Sequence, residues 1–394
     1  MAGIPGGERR LARRRLRLGM VGGGQGALIG AVHRLAARMD ERFKLVAGCF
    51  SSTPERSRVS GLELGIAPER TYDSYQAMVQ GERRRSDGID AVTIVTPNDS
   101  HWPIARAFLK AGFHIICDKP MTTTVRDAER LAALVEETGR AFVLTHNYTG
   151  YPMVRQARAM VQAGELGRIR IVMAEYAQDW LATPVEAAGQ KQAEWRTDPA
   201  RSGPSCTTGD IGTHVINLAS YITGLDLLEV AAEVRTLVEG RRLDDNVGVL
   251  LRFADGATGM LWASQVAPGN QNNLRLRIYG DKAGLAWSQE DPNYLHLTPL
   301  GEPPRLVSRA GPGTGPAAAH ATRLPFGCPE GFYEAFANLY ADAAELIWAR
   351  IEEREPDPLA GPLPTVRDGV AGVRFIEAVI RSGRKNGAWT RLQA

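Results

Sequence analysis

A glycine-rich turn near the start of the chain places the strongest constraint on how the chain folds. An apolar segment at 15–21 leads into Gly22, Gly24 and Ala27, which match the spacing G-x-G-x-x-A, and helically spaced apolar residues follow at 26–40. Such a turn between a strand and a helix lets the backbone approach a pyrophosphate. Since 42 glycines produce this spacing by chance, the flanking strand and helix favour this interpretation over an ordinary tight turn. The predicted cofactor-binding residues of the turn are Gly22, Gly24, Gln25, Gly26 and Ala27.

Up to about residue 147, short apolar strands alternate with helices. The pattern predicts strands at 43–50, 91–95, 114–117 and 141–144, and helices at 72–80, 102–111 and 125–138. Apolar strands separated by helices are typical of a parallel sheet that is covered on both faces. The sequence therefore predicts an α/β fold class with an N-terminal Rossmann domain, a doubly wound parallel sheet, at 16–147.

After Gly150 the pattern changes to longer strands that are joined by turns. Beyond a helix at 151–163, strands are predicted at 168–178, 227–238, 247–253, 258–264 and 273–279, with a hairpin turn at Asp255-Gly256. A loop rich in Gly, Pro and Ala is predicted at 303–329, followed by helices at 332–350 and 367–383. We therefore expect a C-terminal α/β domain with a large, mostly antiparallel open sheet at 148–394.

Composition and charge exclude several classes of protein. A chain of 394 residues suits two domains, and its net charge of +3 comes largely from a start rich in arginine, which we expect to form a flexible basic arm at 1–15. The remainder is slightly acidic, so nucleic acid is not an expected partner. No segment reaches the ~18 apolar residues of a membrane span, and no membrane partner is expected. The four cysteines form no CxxC pair, so we expect no disulfide, no metal site and a cytoplasmic setting.

Three residues further along the chain carry the chemistry that we expect. Lys119 lies at the carboxyl end of a predicted parallel strand, where open α/β sheets bind ligands, and Pro120 follows it directly. Asp210 and His214 are four residues apart, so on a helix they share one face. Both Lys119 and His214 can exchange a proton with a hydroxyl, which suits hydride transfer to or from a nicotinamide. A solvated lysine and a structural Asp–His hydrogen bond are the alternatives, and a metal site lacks a third ligand at helical spacing.

The end of the second strand bears on which cofactor is bound. Many dinucleotide folds have an acidic residue there that binds the ribose hydroxyls, but here the strand runs into Ser51 and Ser52, and the first acid is Glu55. Serine hydroxyls and the guanidinium of Arg56 are suitable donors to a 2′-phosphate. The cofactor is predicted to be NAD or NADP, with NADP weakly favoured. Arg56 on the surface of a helix is the alternative.

Several segments together resemble the Gfo/Idh/MocA family, which includes glucose-fructose oxidoreductase and inositol dehydrogenase. The family's Glu-Lys-Pro segment corresponds to Asp118-Lys119-Pro120, and its Asp-x-Gly-x-His segment corresponds to Asp210 to His214. The segment Thr96-Pro97-Asn98 followed by His101 also matches. The resemblance covers nearly the whole chain from Leu16 onward. It implies a Rossmann domain followed by a substrate-binding α/β domain whose large sheet packs against another subunit, giving a homodimer or homotetramer, and a polyhydroxylated substrate in the cleft.

The resemblance also implies a role for each matching residue. Lys119 and His214 would handle the reacting hydroxyl, while Asp210 orients an adjacent one. The residues expected at the cofactor are Thr96, Pro97, Asn98, His101, Asp118 and Lys119. The residues expected in the pocket wall are Tyr148, Trp195 and Arg196. Three residues depart from the family pattern: Asp118 in place of Glu, Asn217 where many relatives have Asp, and Cys328 where close relatives have His.

Together these observations predict an NAD(P)-dependent dehydrogenase or reductase that acts on CH–OH groups. The expected substrate is a secondary alcohol or ketone of a sugar, a sugar derivative or a cyclitol. One alternative is a glycosidase of the same fold that uses NAD in an oxidation–elimination cycle. A second alternative is a non-catalytic regulatory protein that binds a nucleotide and a sugar, although the presence of Lys119, Asp210 and His214 argues against it.

Overall fold

The structure is a computed structural model that describes residues 13–392. Its N-terminal part contains β1 (Leu16–Gly22), α1 (Leu28–Met39), β2 (Phe43–Cys49), α2 (Pro54–Glu63), α3 (Tyr75–Arg83), β3 (Ala91–Val95), α4 (His101–Lys110), β4 (His114–Cys117), α5 (Val125–Thr138) and β5 (Phe142–Leu144). The five strands form one sheet in the order β2-β1-β3-β4-β5. All neighbouring pairs are parallel, which confirms the predicted Rossmann sheet.

The C-terminal part is built on a second sheet. Its elements are α6 (Pro152–Gln162), β6 (Ile169–Ala177), α7 (Lys191–Arg196), α8 (Pro199–Ser202), α9 (Thr213–Thr223), β7 (Leu227–Arg235), β8 (Asn246–Phe253), β9 (Thr258–Ser264), β10 (Asn273–Gly280), β11 (Ala283–Ser288), β12 (Tyr294–Pro299), β13 (Arg305–Ser308), α10 (Pro316–His320), α11 (Phe332–Ile351), α12 (Val366–Gly383) and β14 (Thr390–Arg391). The nine strands lie in the order β13-β12-β11-β10-β6-β9-β8-β7-β14. Only the pair β6–β9 is parallel, which confirms the mostly antiparallel open sheet.

Two local predictions have different outcomes. Asp255 and Gly256 have φ values of +56° and +78° and join β8 to β9, so the predicted hairpin turn is confirmed. The prediction of a continuous loop at 303–329 is wrong, because β13 and α10 lie within it. Glycine and proline are frequent in this segment and are typical of loops. The sequence pattern therefore does not indicate its short edge strand and its single helical turn.

The first sheet is buried on both faces, which explains its apolar strands. Ile94 packs with Phe108 and Leu131 from α4 and α5 on one face. On the other face Leu18 packs with helix α1 and with Phe336, a residue of α11 from the far end of the chain. Helix α11 thus completes the core of the N-terminal sheet, a long-range contact that the local sequence pattern does not indicate. The predicted boundary at residue 147 remains a prediction.

The second sheet is covered by helices on one face only. Val154 of α6, Val215 of α9 and Phe375 of α12 pack into its core. Large apolar side chains alternate outward on the opposite face and stay exposed: Ile171, Leu250, Met260, Trp262 and Tyr279. Within residues 13–392, no helix is long and apolar enough to span a membrane.

The predicted flexible arm at 1–15 lies largely outside the described residues. Where the structure does describe it, Arg13 forms an ion pair of 2.6 Å with Glu352, and Arg14 forms one of 2.6 Å with Asp90. Both guanidinium groups also lie over the ring of Trp348. Charged and aromatic partners from distant segments thus contact Arg13 and Arg14, and the flexibility of the arm stays a prediction.

Candidate active site

The glycine turn has a backbone geometry that side chains would obstruct. Gly22 has a φ of +84°, and a Cβ there would lie 2.7 Å from the carbonyl oxygen of Val95. A Cβ on Gly24 would lie 2.7 Å from the carbonyl oxygen of Phe50, and Gly26 has a φ of +74°. Only glycine meets these requirements without strain. The turn leads into the N-terminus of α1, so this bare backbone fits the diphosphate of a dinucleotide.

The remaining residues of the turn are held by neighbouring elements. The backbone amide of Gln25 donates to Oγ of Ser60 over 3.1 Å, and its side-chain amide donates to Glu63 over 2.6 Å. The side chain of Gln25 is therefore bound to α2. A Cβ on Gly30 would lie 2.3 Å from Cα of Gly23, so α1 packs directly on the turn. Sequence reasoning missed Ser60 and Gly30, although a small residue one turn into the helix is part of this fold's pattern.

The end of β2 presents hydroxyl and guanidinium groups in place of an acid. The hydroxyl of Ser51 accepts from the amide two residues later over 3.1 Å, and the side chains of Ser52 and Arg56 are exposed. Glu55 forms an ion pair of 2.9 Å with Arg58. Residues three apart meet on a helix and adjacent residues diverge, so Arg58 and not Arg56 offsets the charge of Glu55.

At the end of β3, the predicted cofactor residues have mostly structural contacts. The buried ring of His101 has both nitrogens 2.9 Å from backbone carbonyl oxygens, those of Thr96 and Pro120. His101 thus joins the ends of β3 and β4 and positions them. The side chain of Asn98 donates to the carbonyl of Ser202 over 3.2 Å. The cofactor residues predicted in this segment are Thr96, Pro97, Asn98 and His101.

Asp118 and Lys119 follow β4 directly at the same edge of the sheet. Oδ1 of Asp118 accepts from the amide of Lys119 over 3.0 Å and from the hydroxyl of Thr145 over 2.9 Å. The shorter acid therefore fixes the backbone that carries the lysine. The Lys119–Pro120 peptide bond is cis. The side chain of Lys119 then extends toward the C-terminal part of the chain.

Lys119 and Asp210 meet at the centre of the candidate site. Nζ of Lys119 lies 2.8 Å from Oδ1 of Asp210, and Oδ2 accepts from Arg196 over 3.2 Å and from Gln265 over 2.9 Å. Burial by itself raises the pKa of Asp210. The charges of Arg196 and Lys119, with the hydrogen bonds from Lys119 and Gln265, nevertheless hold that pKa well below its usual range. Asp210 is therefore an anion that two cations and an amide orient.

His214 lies beside this group but is not bonded to Asp210. Residues Thr208–Gly212 form a π-helical turn before α9, so the four-residue spacing does not bring the two side chains together as in a regular helix. Nδ1 of His214 lies 3.4 Å from Nδ1 of His146 instead. The alternative of a structural Asp–His hydrogen bond is therefore not observed, and a His–His contact that the sequence did not indicate is present instead.

Both histidines are held in the neutral form. Burial and, to a smaller extent, the charge of Lys119 together lower the pKa of His146 to about 3. Burial, with the charge of Lys119, also holds the pKa of His214 well below its usual range. A neutral imidazole has one acceptor and one donor nitrogen, so His214 can accept a hydrogen bond from a hydroxyl.

The residues predicted for the pocket wall occupy two different places. Tyr148 is buried behind His214, with its ring edge-on at 4.8 Å between centroids and its hydroxyl 2.5 Å from that of Tyr176. Trp195 and Arg196 lie at the end of α7, where the guanidinium stacks 4.2 Å from the Trp195 ring centroid. The guanidinium thus lies between an aromatic face and Asp210. Tyr148 therefore packs behind His214, whereas Trp195 and Arg196 border the site at Asp210.

A row of amide side chains that sequence reasoning missed continues from Asp210. Nε2 of Gln265 donates to Oε1 of Gln178 over 3.3 Å. Nε2 of Gln178 in turn donates to Oδ1 of Asn272 over 2.9 Å. The hydroxyl of Tyr176 donates to the same oxygen over 2.6 Å. These residues follow or end strands β6 and β9 or precede β10. Single uncharged residues at strand ends carry no spacing signal, so the sequence could not distinguish them from ordinary loop residues.

The departure at Asn217 has a local explanation. Its side-chain nitrogen donates to Oδ1 of Asp368 over 3.2 Å. A carboxylate at position 217 would instead place two anions in contact.

Among the described residues, no group of three or more His, Cys, Asp or Glu side chains is arranged to hold a metal ion.

A glycine turn at the carboxyl edge of a Rossmann sheet, together with a half-buried Lys–Asp pair and a neutral histidine, defines an oxidoreductase that uses a nicotinamide dinucleotide. The comparisons with known proteins agree. Residues 16–146 match the model of the oxidoreductase family with an NAD-binding Rossmann fold, and residues 154–286 match the GFO/IDH/MocA C-terminal domain. The chain belongs to the Gfo/Idh/MocA family of oxidoreductases, as the sequence resemblance predicts.

Similar proteins cover almost the full chain. The uncharacterized oxidoreductase YfiI of Bacillus subtilis is 35% identical over 389 residues, with 98% of each chain covered. The crystal structure of an oxidoreductase from Sinorhizobium meliloti is 50% identical, has a TM-score of 0.86 and covers 96% of this chain and 99% of that one. An inositol dehydrogenase homolog from Azotobacter vinelandii, complexed with NADH and myo-inositol, is 36% identical with a TM-score of 0.89, covering 96% and 98%.

Proposed function

We propose that this protein is an NAD(P)-dependent dehydrogenase that acts on a secondary alcohol of a sugar, a sugar derivative or a cyclitol. The observation that carries the proposal is the contact of 2.8 Å between Lys119 and Asp210 at the carboxyl edge of the Rossmann sheet. The glycine turn lies at the same edge. A substrate bound beside Lys119 is therefore also beside a bound dinucleotide, and holding two reactants together supplies much of the rate.

The cofactor, when bound, supplies the nicotinamide carbon that accepts or gives the hydride. The chain's own residues then manage the oxygen of the substrate. Lys119 exchanges a proton with the reacting hydroxyl at Nζ, and Asp210 fixes the position of that nitrogen. His214, neutral and beside the pair, accepts a hydrogen bond from the same or the adjacent hydroxyl and is the second candidate for the proton.

The substrate class follows from the polar groups that border the Lys–Asp pair. Arg196 offers guanidinium donors, and Gln178, Gln265 and Asn272 are amides that both donate and accept. Vicinal hydroxyl groups also donate and accept, so a neutral polyol matches this set. The similarity to a protein crystallised with myo-inositol places cyclitols first in the panel to test.

The test is a screen of sugars, sugar derivatives and cyclitols with NAD and with NADP. Reduction of either cofactor by a neutral polyol supports the proposal. Turnover of a glycoside without net cofactor reduction would instead indicate the oxidation–elimination glycosidase. Tight binding of dinucleotide and sugar without any turnover would indicate the regulatory protein.

We also infer that the site accepts NADP. The end of β2 has no carboxylate to repel a 2′-phosphate, and the exposed side chains of Ser52 and Arg56 lie at that position. Glu55 is paired with Arg58, which reduces the negative charge nearby. NADP is favoured on these contacts, and the cofactor screen measures the preference directly.

We further propose that two or four copies of the chain assemble through the outer face of the second sheet. A groove of about 430 Å³ crosses this face, lined by Met173, Leu250, Met260 and Trp262 among others. Contiguous exposed apolar surface of this kind marks an association site. Light scattering of the purified protein tests the proposal, and Met260→Asp should shift the particle toward the monomer.

We place the protein in the cytoplasm. All four cysteines are free in the structure, and Cys49, Cys117 and Cys206 are buried, which suits a reducing compartment. Fractionation of the source cells tests this placement: activity that remains with the membrane or outside the cell would contradict it.

A further inference from the structure

Helix α7 begins at the glycine turn although it belongs to the C-terminal part of the chain. Nζ of Lys191, the first residue of α7, lies 3.4 Å from the carbonyl oxygen of Gln25. A Cβ on Gly26 would lie 3.9 Å from the same nitrogen. Apart from the two neighbouring residues of Gly26, the lysine ammonium is the only group of residues 13–392 that lies within 4 Å of this Cβ position.

This ammonium has no anionic partner among the described residues. Within residues 13–392, Lys191 forms no ion pair with an Asp or Glu side chain, and its side chain is exposed. Its one hydrogen bond, to a neutral carbonyl, is long. A phosphate oxygen is a stronger acceptor for an ammonium than a peptide carbonyl is, since both partners then carry charge.

The other end of α7 lies in the candidate active site. Arg196, its last residue, donates to Asp210 over 3.2 Å and stacks on Trp195. A helix of six residues spans only about 9 Å. One short helix therefore connects the glycine turn to the anion that orients Lys119.

We propose that Lys191 binds the diphosphate of the nicotinamide dinucleotide from the C-terminal part of the chain. The contact fixes α7, and α7 in turn holds Arg196 against Asp210. Lys191 is thus a cofactor-binding residue and α7 couples an occupied cofactor site to an ordered substrate site. The inference rests on the family's NAD-binding Rossmann fold and is independent of which polyol is oxidised.

The first test is equilibrium binding of NADH and of ADP-ribose, which has the diphosphate but no nicotinamide, measured by titration calorimetry. Lys191→Met should weaken both ligands about 3- to 10-fold, as expected for one exposed charged contact, and reduce the salt dependence of binding. Lys191→Arg should stay within about 2-fold of the wild type. The matched control is Lys110→Met, an exposed lysine at the far end of α4, which should bind both ligands normally.

The second test is hydrogen exchange of α7 in the presence of ADP-ribose. Protection of residues 185–196 should increase when the ligand binds to the wild type, and this gain should be lost in Lys191→Met. Unchanged affinity of Lys191→Met for both ligands would overturn the proposal. Adenosine has no diphosphate. If Lys191→Met also weakened the binding of adenosine, the proposal would be overturned, because the loss would then reflect a disturbed glycine turn.

Discussion

The ammonium of Lys119 lies 2.8 Å from Oδ1 of Asp210, across 91 residues of sequence. The carboxylate of Asp210 also accepts from Arg196 and Gln265, whereas His214 contacts His146. The lysine and the histidine are therefore separate groups at the candidate site. This separation determines how each variant should behave.

Lys119→Met should lower kcat by about 10²- to 10⁴-fold, the usual contribution of a general acid–base group. The affinity for NADH should change little, because Lys119 follows β4, whereas the turn that fits the diphosphate follows β1. Steady-state kinetics with an accepted polyol and NADH titration give the two values. A folded variant with near-normal kcat would remove Lys119 from the proton path.

His214→Ala should lower kcat strongly and alter the pH profile. Because the pKa of His214 is held well below its usual range, the wild-type imidazole stays neutral above an ordinary histidine pKa of about 6.5. The acid limb that arises from its protonation should therefore lie well below that pH and disappear in the variant. An identical pH–rate profile in wild type and variant would contradict this role.

Asp210→Asn should act mainly on binding and orientation. The amide removes the anion between Lys119 and Arg196, so KM for the polyol should rise more than kcat falls. Dialysis against a chelator should leave the wild-type rate unchanged. Activity that depends on a retained metal would show that Asp210 and His214 act as ligands instead.

His146 should act through His214. The variant His146→Phe keeps a ring but removes the contact of 3.4 Å between the two Nδ1 atoms, so kcat should fall about 10-fold with little change in KM. His146→Asn, which retains a hydrogen-bonding group, should recover most of the loss. His33→Phe is the matched control, since His33 is also buried but bonds Tyr340 in the Rossmann core.

The buried histidines should also make the fold sensitive to acid. Burial lowers the pKa of His33 and His114 to about 4 and that of His146 to about 3. The unfolded chain binds these protons near pH 6.5 and the folded chain does not, so stability is present above that pH and falls as the pH drops toward the folded values. Each site contributes about 1.4 kcal/mol per pH unit in that window.

Urea unfolding at a series of pH values between 7 and 4.5 measures this slope. His33→Phe removes one of these titrating groups, so the slope of the unfolding free energy against pH should fall by the contribution of one site. Losing the contact with Tyr340 also lowers the stability, but it does so at every pH. A slope equal to that of the wild type would show that His33 titrates alike in the folded and unfolded chain.

Local patterns were sufficient for the first sheet and for the residues that anchor the site. The glycine turn, Lys119 after β4, and Asp210 with His214 each have a short-range signature or match a family segment. The pairing of Lys119 with Asp210 required only that both lie at the carboxyl edge. Strands β11 to β14 were missed, since they are short and lie among turns.

The contacts that complete the site could not be predicted in the same way. His146, Gln265 and Lys191 are single polar residues without a characteristic spacing, and they reach the site through long-range packing. The π-helical turn at Thr208–Gly212 also changed the outcome, because it separates Asp210 from His214 where a regular helix would align them. Tertiary packing therefore determined the partners of each catalytic candidate.

Transfer of deuterium from substrate to cofactor tests the central claim most directly. A polyol accepted in the screen is prepared with deuterium at the carbon of its reacting hydroxyl and incubated with the wild type and NAD or NADP. We predict that the label appears at C4 of the reduced nicotinamide and that Lys119→Met slows its appearance. Reduced cofactor without the label, with the deuterium kept by the carbohydrate or lost to water, would contradict the proposed dehydrogenase.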